Sequence, residues 1–125
     1  MNVTIAAQKR DGYLFIESKG TLENIDELMA HSRMIYEEIT KHDFKKILVY
    51  EPETSLPLDL VPHFKLVQSY IEQYPPDIRE LTIAVVVADN YKEVANTWET
   101  ICQSRGLQYF VFTSLQDAVN CLVEE

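Results

Sequence analysis

Glycine is scarce in this chain. There are three in 125 residues, Gly12, Gly20 and Gly106, and only Gly20 stands between a strand-like run and the helix-like run after it. A backbone that closes around a phosphate needs several glycines at such a junction, in a GxGxxG, GxxxxGKS or GxxxxGKT pattern. None of these patterns occurs, which excludes the usual nucleotide and dinucleotide readings of an α/β chain. Cysteine is nearly as rare. Cys102 and Cys121 are the two present, too far apart for a CxxC motif. Both fall on apolar faces inside helix-like runs, not at a helix N-terminus where a thiolate would be stabilised. They are expected to be small buried thiols.

Basic residues are few, 11 against 20 acidic ones, for a formal net charge of −9. Such a surface repels phosphate backbones and anionic lipid headgroups. Lys41, Lys45 and Lys46 form the densest basic spot, beside Asp43, and it is too small for a nucleic-acid footprint. Long apolar runs are absent as well. Ile83 to Ala88 is the longest and is far too short to span a bilayer. The opening MNVTIAAQKRDG has no apolar run behind a basic start, so no signal peptide is read there, and a cytoplasmic location is expected. Linker-like tracts and repeats are missing, which points to a single domain over residues 1–125. A chain of this length buries about two thirds of its unfolded surface without needing disulfides or a metal.

What is present is an alternation of strand and helix patterns. Val3, Ile5 and Ala7 alternate with polar residues. Asp11-Gly12 then reads as a type I′ hairpin turn, and Tyr13 to Ser18 as the returning strand, ended by Gly20. A helix is predicted from Ile25 to Lys41, capped by Asn24 with Glu27 as the box partner. Its apolar stripe is Ile25, Leu28, Met29, Ser32, Ile35, Tyr36 and Ile39. Ile47 to Tyr50 is a strand apolar on both faces. The irregular run Glu51 to Asp59 follows, kept out of helix by Pro52 and Pro57. Asp59 to Tyr74 is predicted as a second helix, and Asp77 to Glu80 as a polar connection. Leu81 to Val87 is the central strand. Asn90 with Glu93 reads as the cap of a third helix with stripe Tyr91, Val94, Ala95, Trp98, Ile101 and Cys102, closed by Gly106 and Leu107. Tyr109 to Phe112 is the last strand. Ser114 with Asp117 caps a final helix that turns Leu115, Ala118, Val119 and Leu122 inward. The order ββαβαβαβα implies an α/β fold with a mostly parallel five-stranded sheet and an antiparallel N-terminal edge strand, packed by helices.

Few residues offer chemistry. His31, His42 and His63 share no metal-ligand spacing, and the first two read as boundary residues of the first helix. The serines lack a GxSxG elbow. In a doubly wound sheet the strand C-terminal ends hold the ligand. Here they are Tyr50 to Ser55, Ala88-Asp89-Asn90 and Thr113-Ser114. A receiver domain would need a lysine after the last strand, and none is there. Asp89, Asn90 and Ser114 are most simply helix caps. The apolar concentration at Leu56, Pro57, Leu58, Leu60, Val61 and Pro62 is core in the main, and any exposed remainder marks a partner or ligand surface.

These elements resemble a known family. The stretch IAVVVADN, the helix with Trp98 ending Ser104-Arg105-Gly106, and YFVFTSLQDAVNCL are similar to the SpoIIAA-like proteins. Those share the STAS fold of sulfate transporters and anti-sigma-factor antagonists and are grouped with SEC14-type lipid carriers. The antagonists carry a phosphorylatable serine in an Asp-Ser-Ser/Thr-Gly motif at the start of the second helix. The corresponding Leu58-Asp59-Leu60-Val61 here has no serine, threonine or glycine. The resemblance thus implies a small non-enzymatic regulatory or interaction domain without that phospho-switch and without a cofactor. The expected binding residues are Glu51, Thr54, Ser55, Leu56, Leu58 and Val61. The alternative is a carrier of an apolar or lipid-like molecule, held between the sheet and the second and third helices. A carboxylate enzyme built on Glu51, Glu53 and Asp89 is a third reading. A homodimer is a further candidate assembly that no particular residue argues for.

Overall fold

The computed structural model describes residues 2–56 and 76–123, the side chains of residues 76 and 77 apart. The expected second helix, with Leu58 and Val61, lies outside the described residues. Strands β1 (Asn2–Arg10) and β2 (Tyr13–Thr21) form the antiparallel hairpin, closing with Arg10 opposite Tyr13. Asp11 keeps a negative φ and Gly12 alone takes a positive one, 90°. The turn is therefore not type I′, which requires positive φ at both positions; its φ signs are those of type II.

Strands β3 (Lys46–Ser55), β4 (Thr82–Val87) and β5 (Gln108–Phe112) complete a sheet of order β1-β2-β3-β4-β5 in which β2 to β5 run parallel. The mostly parallel sheet with an antiparallel edge strand is as the sequence predicts. The strand order never reverses, however, so there is no switch-point crevice of the doubly wound kind.

Helices α1 (Ile25–Lys41) and α2 (Lys92–Ser104) lie on one face. Their side chains pack with Leu14, Ile16, Ile47, Val49, Ile83 and Val85. Helix α3 (Leu115–Val123) covers the other face, placing Ala118 and Leu122 against Phe15, Leu48, Ala84 and Val86. The two-sided covering explains why β3 and β4 are apolar without alternation. Each fully buried side chain of this set, such as Ile47 or Leu48, contributes about 1.5–3 kcal/mol of transfer free energy.

The helix ends follow the sequence in part. Asn24 caps α1 by accepting from the Glu27 amide at 3.0 Å. Ser114 accepts from the Asp117 amide at 3.3 Å at the start of α3. Gly106, φ 87°, and buried Leu107 close α2, with the Leu107 amide donating to Cys102 O at 3.0 Å. Asn90 is not a cap. Asp89–Tyr91 form a short 3-10 turn, and α2 starts after Tyr91 with no side-chain cap. Two further expectations change. Leu115 is 40% exposed and does not face the core, whereas Ile78, in the supposed polar connection, is buried in it.

β2 does not stop at Gly20. Gly20 sits inside the strand at φ 139°, and a Cβ there would stand 2.2 Å from the Asn2 carbonyl oxygen of β1. Glycine is required by this close approach. Nor does β3 stop at Tyr50. It runs on through Pro52 to Ser55, and its pairing with β2 slips between Glu17 and Lys19. Glu17 stands opposite Tyr50 and Lys19 opposite Glu53, so β3 carries one extra residue, a β-bulge. β4 ends opposite Glu51. Pro52, lacking an N–H, therefore occupies a bulge at a free edge, where it breaks no ladder bond on that side.

Candidate functional site

The bulge builds the site. Along a regular strand Glu51 and Thr54, three positions apart, would point to opposite faces. The extra residue turns both toward α1. From β2, Ser18 continues the inward series Leu14 and Ile16. From α1, His31 falls one turn beyond Leu28 and one turn before Ile35, on the buried stripe.

The four side chains meet. Ser18 Oγ lies 2.8 Å from His31 Nε2 and 2.9 Å from Thr54 Oγ1. Ser18, His31 and Thr54 are 1%, 3% and 1% exposed. Three buried polar residues in one apolar core are tolerable because each satisfies another. Glu51 Oε2 is 3.9 Å from the same His31 nitrogen, with the Glu51 side chain 11% exposed. That distance is too long for a hydrogen bond. Charge pairing does not fill the gap. Burial raises the Glu51 carboxyl to about 8 and lowers His31 to about 4, so both are neutral between those values. Desolvating two charges here costs more than their attraction returns.

A cavity of about 70 Å³ opens beside this cluster, partly open to solvent. Its walls are Leu28 and Ile35 of α1, Ile83 and Val85 of β4, Trp98 of α2 and Leu56, and its polar end is His31, Ser32 and Glu51. It lies between the sheet, α1 and α2. The sequence places a ligand cavity between the sheet and its second and third helices; the third, α2, lines this one, and the second lies outside the described residues.

The arrangement is not a nucleophile and its base. A Ser-His-acid triad needs the acid on the imidazole nitrogen that does not face the serine. Here Ser18 and Glu51 approach the same nitrogen, and the Ser18 hydroxyl is closed to substrate. The carboxylates of the third reading do not converge. Glu51 points inward, Glu53 is exposed with Lys19 Nζ 3.5 Å away, and Asp89 sits on the surface beside Lys92 and Glu93. Among the described residues no three histidine, cysteine or acidic side chains are grouped to hold a metal ion. Burial pushes the Cys102 thiol up to about 12 and raises that of Cys121, so neither is a thiolate.

Of the residues singled out from sequence, Glu51, Thr54 and Leu56 reach the site. Ser55 is held by the backbone, its carbonyl accepting from the Leu22 amide at 2.9 Å. Ser18 and His31 were missed as site residues. The helical spacing of His31 with Leu28 and Ile35 was the available signal. His42 is a helix C-cap, its Nδ1 2.8 Å from Glu38 O. The basic spot is countered locally, Lys45 Nζ lying 3.3 Å from Glu80 and Lys41 Nζ 3.4 Å from Glu38. No described helix is long and apolar enough to cross a membrane.

No family model matches the chain, and no curated protein matches it in sequence. Solved structures do match. An anti-sigma factor antagonist from Mycobacterium paratuberculosis aligns with a TM-score of 0.63 at 12% identity, over 96% of this chain and 93% of that one. A protein with a SpoIIAA-like fold from Shewanella loihica aligns with a TM-score of 0.51 at 16% identity, over 97% of this chain and 94% of that one. The fold is thus SpoIIAA-like, of the STAS type.

Proposed function

We propose that the chain is a non-enzymatic regulatory or interaction domain that works in the cytoplasm and engages a protein partner through the segment from Thr54 to Val61. The observation that carries this reading is the likeness of fold, along nearly the whole chain, to an anti-sigma factor antagonist. Fold by itself does not fix function, so the site must agree. It does so in two respects. The enclosed hydroxyls of Ser18 and Thr54 and the His31 imidazole bond to one another, an arrangement that holds shape. And the proposed segment begins on that group, at Thr54, before Leu56 reaches the cavity wall.

Leu58 to Val61 offers no hydroxyl to phosphorylate, so partner binding here does not run through a serine switch at that position. The test is a comparison of Leu58→Asp with the wild type as bait in the host extract, read by quantitative mass spectrometry. A protein enriched by the wild type should be lost by the variant, with the circular dichroism of the two the same. An equal catch by both removes the segment from the account. Leu56→Asp is a poor probe, because Leu56 packs beside Leu22 and Leu28 and the change would disturb the core.

A second reading, a carrier of a small apolar molecule, is favoured by one observation, the cavity beneath α1 and α2.

A further inference from the structure

The cavity has a composition that selects a ligand. We infer that it binds a small, uncharged, mostly apolar molecule carrying one hydrogen-bond acceptor, and that the Glu51 carboxyl group is the donor to that acceptor. The inference rests on the carrier reading and specifies it.

Size comes first. A water-sized centre occupies roughly 10–15 Å³ by this measure, so the 70 Å³ cavity has room for roughly five to seven non-hydrogen atoms. That is a short branched chain or one small ring. The walls set the second term. Leu28, Ile35, Ile83, Val85 and Trp98 offer no strong acceptor, so the body of the ligand is apolar.

The polar end sets the third. The hydroxyls of Ser18 and Thr54 and the Nε2 of His31 are committed to one another. Among the described residues Ser32 and Glu51, also at the polar end, are not committed, and of the two it is Glu51 that approaches the bonded cluster. Its carboxyl makes no hydrogen bond to any described residue, and its nearest polar partner is the 3.9 Å approach to His31. With its side chain 11% exposed at the partly open cavity, the carboxyl is a polar group that a ligand can reach. Among the described residues the other titratable groups at the cavity are His31 from α1 and Tyr109 from β5; α2 brings Ala95 and Trp98, and β4 brings Ile83 and Val85. Among the described residues no lysine or arginine lines the cavity with Glu51, and burial favours its protonated form. A protonated carboxyl donates; it does not attract a cation. An anionic ligand would be desolvated beside it without a counter-charge, and a purely apolar one would leave the proton unpaired.

The experiment uses three probes of five or six non-hydrogen atoms on the full chain: cyclopentane, cyclopentanone and cyclopropanecarboxylate. Binding is read from the methyl resonances of Leu28, Ile35, Ile83 and Val85 in mildly acidic buffer. Cyclopentanone should bind about five-fold tighter than cyclopentane, the worth of one neutral hydrogen bond, and the carboxylate weakest. Glu51→Gln, which keeps a donor, should retain the preference, and Glu51→Leu should abolish it while still binding cyclopentane. In the wild type the preference should fade as pH passes about 8, where Glu51 ionises. If cyclopentane and cyclopentanone bind equally to the wild type and to Glu51→Leu, the cavity is a site but Glu51 is not its donor, and the inference fails alone. If the carboxylate binds tightest, the uncharged class is wrong. If no probe moves these methyls, the carrier reading fails with it.

Discussion

Ser18 is the residue on which the buried cluster turns, since its one hydroxyl serves both His31 Nε2 and Thr54 Oγ1. Ser18→Ala leaves two buried polar groups unpaired, at about 1–3 kcal/mol each. The expected loss is about 2–6 kcal/mol, seen as a lower urea midpoint with an unchanged slope. A loss below about 0.5 kcal/mol, the size of an ordinary surface change, would mean that another group or water already serves His31 and Thr54. This cluster was half legible in the sequence. Glu51 and Thr54 stood out as part of an irregular, proline-broken stretch. His31 read as a boundary residue, because a lone histidine on a helix gives no hint of a serine waiting on a strand thirteen positions earlier. That pairing is a product of tertiary packing, and helical periodicity carries no information about it.

At the scale of elements, β2 and the bulged β3 do the positioning. The bulge was invisible in the sequence. Pro52 reads as a residue that keeps the run out of helix, and only the end of β4 opposite Glu51 makes a proline harmless within a strand there. Gly20 was read as a strand end for a similar reason. The α2 cap was misplaced because Asn90 and Glu93 fit the capping-box spacing, while the chain instead enters the helix through a 3-10 turn. What periodicity does report, the stripes of α1 and α2 and the apolar centre of β4, came through as expected, because those depend on burial alone. Gly20 and Gly106 separate steric from torsional demand. Gly20→Ala meets backbone at 2.2 Å, whereas Gly106→Ala meets only the Arg79 side chain, at 3.7 Å or more. Gly106→Ala should cost about 1–2 kcal/mol, the strain of a positive φ alone. Gly20→Ala should cost at least about 3 kcal/mol, strain and overpacking together. Denaturant midpoints check the order, and amide exchange should show β1 released first in the Gly20 variant. Equal losses would mean that β1 yields freely to the added carbon.

For the molecule as a whole, the neutral pair makes stability depend on pH with a definite sign. Glu51 has a folded value of about 8 against an ordinary 4.5. Folding therefore holds a proton that the unfolded chain releases, and this contribution declines as pH rises from 4.5 to about 8. His31 has a folded value of about 4 against 6.5, so its contribution is present above 6.5 and is lost as pH falls to about 4. The two slopes oppose each other between 4.5 and 6.5, and Glu51 acts alone above that. Subtracting Glu51→Gln from the wild type removes the His31 part and most of the other carboxylates. The difference should fall by up to about 1.4 kcal/mol per pH unit and level off above about 8. A flat difference would mean that Glu51 titrates alike in both states.

An uncharged, hydrogen-bonding end closes the apolar cavity of this SpoIIAA-like fold. The most direct measurement is a carbon-detected NMR titration of the Glu51 side-chain carboxyl in the folded protein. The claim predicts one titration with its midpoint near 8, far from the ordinary 4.5. A midpoint near 4.5 would make Glu51 an anion at neutral pH and its approach to His31 an ion pair, and would contradict both the neutral site and the ligand it selects.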